Sequence, residues 1–285
     1  MIEPIFAVTI DIELNFAASN GDFEACENHL VAGANPNSIR KIDGTPLLKS
    51  ALMHAVEKKN LRLINLLINH GADVNLQSPS GETALMFAAG AGEIEACSIL
   101  IDRGANLELQ ENYRKTALSY AAEKGHSNIC RLFLEKGAMP DVTDYCGDTA
   151  LSYAALFGDL QTCRVLLDGG SNPNNMDIWG RTPAMFAAKT GNVDIIEKLL
   201  EMSADINLAD SSGETVLHDA ARFQHLEFAK YLTERMTSSS VLSLNYMKKS
   251  ALEVWGHQVF TGPPEDSEDK KAFCAHVTAM FADVL

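Results

Sequence analysis

The chain has 285 residues, of which 46% are hydrophobic, so its composition excludes an intrinsically disordered protein and allows a sizeable core. Its formal net charge of −15 argues against binding to nucleic acid, which calls for clustered lysines and arginines. No apolar run approaches the roughly 20 residues of a membrane span, and the start, MIEPIFAVTIDIEL, lacks the basic region of a secretory signal. We therefore expect a cytoplasmic protein with neither a nucleic-acid nor a membrane partner.

The first repeated element lies in residues 14–38, LNFAASNGDFEACENHLVAGANPNS, which has the pattern of two short helices separated by a glycine break. It matches the later part of the chain once a five-residue insertion is allowed. That insertion lies within IRKIDGTPLLKSALMHA, where Thr45-Pro46-Leu47 repeats the pattern of a helix start. We assign residues 1–42 to an N-terminal capping repeat.

From Ser50 onward, the sequence repeats with a period of 33 residues. A Ser or Thr begins each helical pattern, at Ser50, Thr83, Thr116, Thr149, Thr182 and Thr215. Such a residue is a helix N-cap, because its side-chain oxygen accepts a backbone N–H that the first turn leaves unpaired. Pro183 follows at the first helical position, where its missing N–H costs nothing. This period predicts repeats two to seven in residues 43–242.

Small residues recur at fixed positions within each repeat. A pair such as Ala88-Ala89 lets a neighbouring helix approach closely, and a glycine such as Gly92 ends the first helix with an expected positive φ. The second helix, for example residues 94–101, carries apolar residues at helical spacing. One unit cannot bury its apolar face alone, so the repeats are expected to stack.

This sequence resembles the ankyrin repeat family over roughly residues 10–240. The resemblance rests on the 33-residue period, the Thr-Pro/Ala-Leu cap, the alanine pair, Gly125-His126 and the GADVN loop at 71–75. It implies an all-α solenoid of about seven helix-turn-helix repeats with projecting hairpin loops and a helical C-terminal cap. It also implies that the hairpin tips and first-helix ends line a concave face that binds proteins.

The cysteine, histidine and serine residues, which could form a catalytic or metal site, are better interpreted as structural. Cys26, Cys97, Cys130 and Cys163 share a column with Ile64 and Ile196, so we expect them to be buried as small apolar side chains. No histidine pair has zinc-ligand spacing, and no Ser or Cys has the sequence context of a nucleophile. We therefore expect a non-enzyme with no metal, cofactor or catalytic residue. An active site assembled across repeats, or in the tail, remains a less favoured alternative.

The C-terminal residues 243–285 leave the period. Residues 250–252, Ser-Ala-Leu, repeat a helix start two residues out of phase, and Trp255 and Phe260 are expected to cover the open end of the stack. An acidic linker, Glu265 to Asp269, then precedes a short amphipathic helix. That helix is a cap, a recruitment helix for a second partner, or a segment that resembles the C-terminal signals of type IV secreted bacterial effectors.

The candidate binding residues occupy the columns that vary between repeats, at the hairpin tips and the ends of the first helices. They are Tyr113, Lys115, Lys124, Tyr145, Phe157, Ile178, Trp179, Arg181, Lys189, Arg222 and Phe223. Tyr, Trp and Arg dominate interface hot spots, so an aromatic strip framed by cations is expected to bind a protein partner. The alternative is that some rings pack on the next hairpin, Phe157 first among them. Arg114 replaces a recurring glycine, which predicts a distorted hairpin beside Tyr113.

We therefore predict a monomeric, non-catalytic protein-interaction module. The alternative is an effector or adaptor that is secreted without a cleavable signal peptide, whose repeats bind a host protein and whose tail is the secretion or recruitment signal.

Overall fold

The computed structural model describes residues 3–39, 48–254 and 275, and the chain divides into two compact units, residues 1–145 and 146–285. Unit 1 contains α1 Glu3–Asn20, α2 Phe23–Val31, α3 Ala51–Glu57, α4 Leu61–Asn69, α5 Ala84–Ala91, α6 Ile94–Asp102, α7 Ala117–Glu123 and α8 Ser127–Glu135. Unit 2 contains α9 Ala150–Leu156, α10 Leu160–Asp168, α11 Pro183–Ala188, α12 Val193–Glu201, α13 Val216–Arg222, α14 Leu226–Thr233, α15 Ser238–Val241 and α16 Ala251–Val254.

The helices from α1 to α14 form seven consecutive pairs within the described part of the chain. In unit 1, the first helices α1, α3, α5 and α7 pack on one another, and the second helices α2, α4, α6 and α8 do the same. In unit 2, α9, α11 and α13 form one such layer. The core lies between the layers, where both alanines of each pair are fully buried, as at Ala88-Ala89 and Ala121-Ala122. An alanine pair permits this close packing because it adds little side-chain volume.

The predicted helix caps account for the helix boundaries. The side chains of Ser50, Thr83, Thr116 and Thr149 each accept a backbone N–H from the third residue of their helix. At Thr215, the side-chain partner is instead the ring of His218, whose Nδ1 lies 3.0 Å from the hydroxyl. The four backbone bonds fix where α3, α5, α7 and α9 begin, since they satisfy donors that the first turn cannot pair. The predicted side-chain cap at Thr182 was wrong, because its side chain makes no cap hydrogen bond and Pro183 begins α11 there.

A short hairpin precedes each first helix from α5 onward, and backbone hydrogen bonds join successive hairpins within each unit. In unit 1, Asn112 donates to the carbonyl of Ser80, and Tyr145 donates to that of Tyr113. In unit 2, the acceptors are Cys146, Trp179 and Ser212, and the donors are Ile178, Ser211 and Tyr246. The five N···O distances lie between 2.8 and 3.0 Å. We call these five bonds the hairpin ladder.

The hairpin at Arg114 is not distorted, so that expectation was wrong. Arg114 itself adopts a positive φ of 64°, and its N–H donates to Glu111 over 2.7 Å, as Gly81 donates to Ser78 over 2.8 Å. The arginine accepts the left-handed conformation that its glycine counterparts adopt freely. Tyr113 therefore has the same backbone geometry as the other tips.

A further hairpin begins at Asn245, two residues later than the period of 33 requires. Asn245 N–H donates to Lys249 over 2.9 Å, and its side chain accepts from Met247 and Lys249. Ser250 then caps α16, which packs on α13. The out-of-phase helix start is thereby confirmed. Trp255, Phe260, the acidic run and all of the final predicted helix except Ala275 lie outside the described residues, as does Thr45-Pro46-Leu47.

Candidate partner-binding surfaces

Two exposed tyrosines mark the hairpin tips of unit 1. Tyr113 and Tyr145 are each 72% exposed, and the ladder bond between their backbones is 2.8 Å long. Backbone bonds thus position the two rings while the rings themselves remain open to solvent. Such exposed aromatic groups are suited to binding, because they offer much apolar area at a low cost in side-chain entropy.

The predicted cations of unit 1, Lys115 and Lys124, both bind Glu123. Their ammonium groups lie 2.8 and 2.9 Å from its two carboxylate oxygens. Burial alone would raise the pKa of Glu123, but the hydrogen bonds from the two lysines outweigh it and hold the pKa below its usual value. Lys115 is therefore mainly a structural ion-pair partner, whereas Lys124, with an exposed side chain, is accessible to a ligand.

The corresponding tip of unit 2 presents Ile178, 63% exposed, and Trp179, 45% exposed. The guanidinium of Arg181 lies 4.7 Å from the Trp179 ring centroid and 4.6 Å from that of Phe186. Its Nε also binds the buried carboxylate of Asp177 over 2.6 Å. Arg181 therefore contacts both rings and Asp177, so it supports the tip rather than lying free beside it.

The first-helix ends of unit 2 contain the remaining predicted residues. Phe157 is 58% exposed, so much of its surface is open to solvent. Phe223 is half-buried. The ammonium of Lys189 lies 5.3 Å from the ring centroid of Phe186, which places it above the same ring that Arg181 contacts.

Arg222 lies within an acidic cluster of unit 2. Its guanidinium contacts Glu214 at 2.5 Å and Asp219 at 2.8 Å. Burial raises the pKa of Asp219 to about 6 despite this cation. For Glu214, burial would raise the pKa, but the hydrogen bonds from Arg222 hold it below its usual value. Arg222 thus links the hairpin to α13, and the sequence did not reveal that this predicted contact residue is already paired.

Sequence reasoning missed several exposed apolar residues and one pocket. Among these residues, Met176 is 45% exposed beside the tip of unit 2, and Tyr246 and Met247 in the hairpin that begins at Asn245 are 80% and 78% exposed. The phase shift at residues 250–252 was the signal for that hairpin. A pocket of about 400 Å³ lies in unit 1 at the ends of α3, α5 and α7, around Gly90. Its signal was Gly90 itself, a glycine in a column that varies between repeats.

Metal sites and membrane spans are both absent from residues 3–39 and 48–254. No group of three or more His, Cys, Asp or Glu side chains there could hold a metal ion. No helix there is both long and apolar enough to cross a membrane.

Stacked helix pairs with exposed hairpins define the chain as an all-α repeat solenoid, a class of protein in which each repeat contacts its neighbours. A sequence model of ankyrin repeats in three copies matches residues 14–111, 52–144, 103–177 and 151–241. The chain therefore belongs to the ankyrin repeat family, whose members are generally protein–protein interaction modules and typically not catalysts. A search of curated proteins returned no match.

Proposed function

We propose that the protein is a non-catalytic module that binds a partner protein through its hairpin tips and first-helix ends. The observation that carries the proposal is the exposure of large apolar tips on a fixed backbone, since Tyr113, Tyr145, Ile178 and Trp179 are 45 to 72% exposed. Exposed apolar groups of this size on a folded protein mark interaction sites. The proposed surface lies within repeats two to seven, residues 43–242.

The hairpin ladder supports high affinity for a modest contact area. Because the tips are held by backbone bonds in the unbound protein, little ordering entropy is lost when a partner docks. Affinity would then come from the aromatic and aliphatic tips, and specificity from the nearby charges of Lys124 and Lys189. We further propose that the protein acts as a monomer in the cytoplasm.

The acidic cluster of unit 2 is assigned a structural role in this proposal. Asp219 is the kind of buried acid that active sites use, but Arg222 holds its carboxylate and that of Glu214 together. This pairing fixes the hairpin against α13. The proposal therefore contains no catalytic residue.

The test is an affinity capture from extracts of the cells that express the protein, with bound proteins identified by mass spectrometry. The baits are the wild type, Tyr113→Ala/Tyr145→Ala and Ile178→Ala/Trp179→Ala. The matched control is Arg131→Ala/Arg164→Ala, which changes exposed residues on the second helices α8 and α10. Thermal melts by circular dichroism verify that every bait is folded.

We expect a partner that binds the wild type and the control but is lost from one or both tip variants. If the same partners bind all four folded baits, the tips do not carry binding and the proposal is wrong.

A further inference from the structure

The pocket in unit 1 is lined by apolar and aromatic side chains together with two carboxylates and one lysine. Met86, Phe87, Ala91 and Tyr120 line it, as do Glu57, Glu82 and Lys124. Its volume of about 400 Å³ falls within the range of ligand-binding pockets, at the small end. It has room for one long side chain of a partner rather than for a large cofactor.

Gly90 keeps this pocket open, although the fold does not require a glycine there. Gly90 lies in the last turn of α5 without a positive φ, and an added Cβ would make an ordinary contact, 3.6 Å from Tyr120 Cδ1. A helical glycine costs about 0.5–1 kcal/mol relative to alanine, so its presence calls for another reason. The equivalent positions of the neighbouring repeats hold Glu57 and Glu123, whose larger side chains would fill the space.

The charges around the pocket favour a cation. Glu57 is paired with Lys49, and Glu123 with Lys115 and Lys124. Glu82 makes no ion pair among the described residues, and its carboxylate accepts from the hydroxyl of Ser78 over 3.2 Å. Burial first, and then the nearby carboxylates of Glu111, Glu82 and Glu123, raise the pKa of Tyr120 to about 12.

The aromatic walls of the pocket already attract the chain's own lysines. The ammonium of Lys49 lies 4.8 Å from the ring centroid of Phe87, and that of Lys115 lies 6.0 Å from the ring centroid of Tyr120. In addition, α3, α5 and α7 all end at the pocket, and helix C-termini carry partial negative charge.

We infer that this pocket binds an arginine side chain of a basic segment in the partner protein. The aliphatic stem would lie on Met86 and Ala91, and the planar guanidinium would stack on Tyr120 and pair with Glu82. Arginine suits the site better than lysine because its flat group stacks on a ring while donating paired hydrogen bonds to a carboxylate. The inference rests on the proposed function, and it specifies the chemistry that the partner presents to unit 1.

The test begins with a phage-displayed library of random seven-residue peptides selected on the full-length protein. A selected peptide is then synthesised, labelled and titrated by fluorescence anisotropy against the wild type, Gly90→Leu, Glu82→Gln and Arg131→Ala. Gly90→Leu fills the pocket, Glu82→Gln removes only a charge, and Arg131→Ala is the control, which changes an exposed residue on the second helix α8 of the same unit. A second peptide carries citrulline, which is neutral but similar in shape, in place of arginine.

We expect selected peptides that share an arginine, and about tenfold weaker binding for Gly90→Leu and for the citrulline peptide. Glu82→Gln should weaken binding severalfold, and Arg131→Ala should leave it nearly unchanged. Should Gly90→Leu fail to fold, Glu82→Gln and the citrulline peptide decide the matter.

Selected peptides without arginine, or no selected peptides, would overturn the inference. So would peptides that bind Gly90→Leu as tightly as the wild type but lose affinity for Tyr113→Ala/Tyr145→Ala. That last pattern would leave the proposed function standing, whereas the affinity capture with tip variants tests the proposed function by itself.

Discussion

Two glycines of unit 1 have almost the same φ, but replacing each by alanine should lower the free energy of unfolding by different amounts. Gly81 has a φ of 85° and Gly104 a φ of 87°. A Cβ at Gly81 would lie 2.8 Å from Glu111 Cα and 2.9 Å from Asn112 N, because the next hairpin approaches it. A Cβ at Gly104 would have no heavy atom within 4 Å.

A positive φ alone destabilises an alanine by about 1 kcal/mol, so Gly104→Ala should lower the free energy of unfolding by about that amount. At Gly81, the backbone must also shift to relieve the contact. Arg114, at the equivalent position of the next repeat, has a Cβ and a φ of 64° instead of 85°. A similar backbone change would relieve the contact in Gly81→Ala. We expect about 1–2 kcal/mol more for this adjustment, and so about 2–3 kcal/mol in total for Gly81→Ala.

The measurement is urea unfolding of both variants and the wild type, followed by circular dichroism, with midpoints compared at matched slopes. Both substitutions lie in unit 1, so a difference in stability between the two units does not affect the comparison. Equal losses would show that the close approach of the hairpins costs nothing, and a larger loss for Gly104→Ala would refute the reasoning.

Two further predictions concern buried ionisable groups. Because burial raises the folded pKa of Asp219 to about 6, above an unfolded value of about 4, the wild type loses stability as pH rises through this window. The stability advantage of Asp219→Asn over the wild type should therefore grow by about 2 kcal/mol between pH 4 and pH 7.5 in urea unfolding, and a constant difference would contradict this. Burial also raises the thiol pKa of Cys97 and Cys163 to about 12, so iodoacetamide at pH 8 should alkylate the half-buried Cys146 before either of them. Peptide mapping by mass spectrometry measures the three rates, and equal rates would show that burial does not protect the thiols.

The backbone of the repeats could be predicted from the sequence because each structural requirement recurs in one column. The caps at Thr83 and Thr116, the alanine pairs and the positive φ of Gly92 all follow from local chemistry that any single repeat already contains. The same local reasoning wrongly predicted a distorted hairpin at Arg114. It included the energetic cost of a positive φ, but not the hairpin ladder, through which the neighbouring repeat holds the backbone in place.

The binding surfaces were only partly predictable. Exposure at Tyr113, Tyr145 and Ile178 followed from their place at the tips, but the partners of Arg181 and Arg222 did not. An ion pair depends on the direction in which two long side chains extend, and repeat periodicity does not specify this. The pocket at Gly90 was missed for a related reason. The pocket is lined by residues of three successive repeats. Comparing the repeats at one equivalent position at a time does not show which side chains from different positions surround a common space.

The hairpin ladder has a consequence for how such a chain can change. All five bonds join a main-chain N–H to a main-chain carbonyl, so the connection between neighbouring tips does not depend on which side chains the tips carry. Tyr113 or Trp179 could be exchanged for almost any residue without removing a bond that holds the hairpins together. A lineage could therefore acquire a new partner by substitutions at the tips while the fold stays intact. The same positions are natural sites for a randomised library from which new binding proteins are selected.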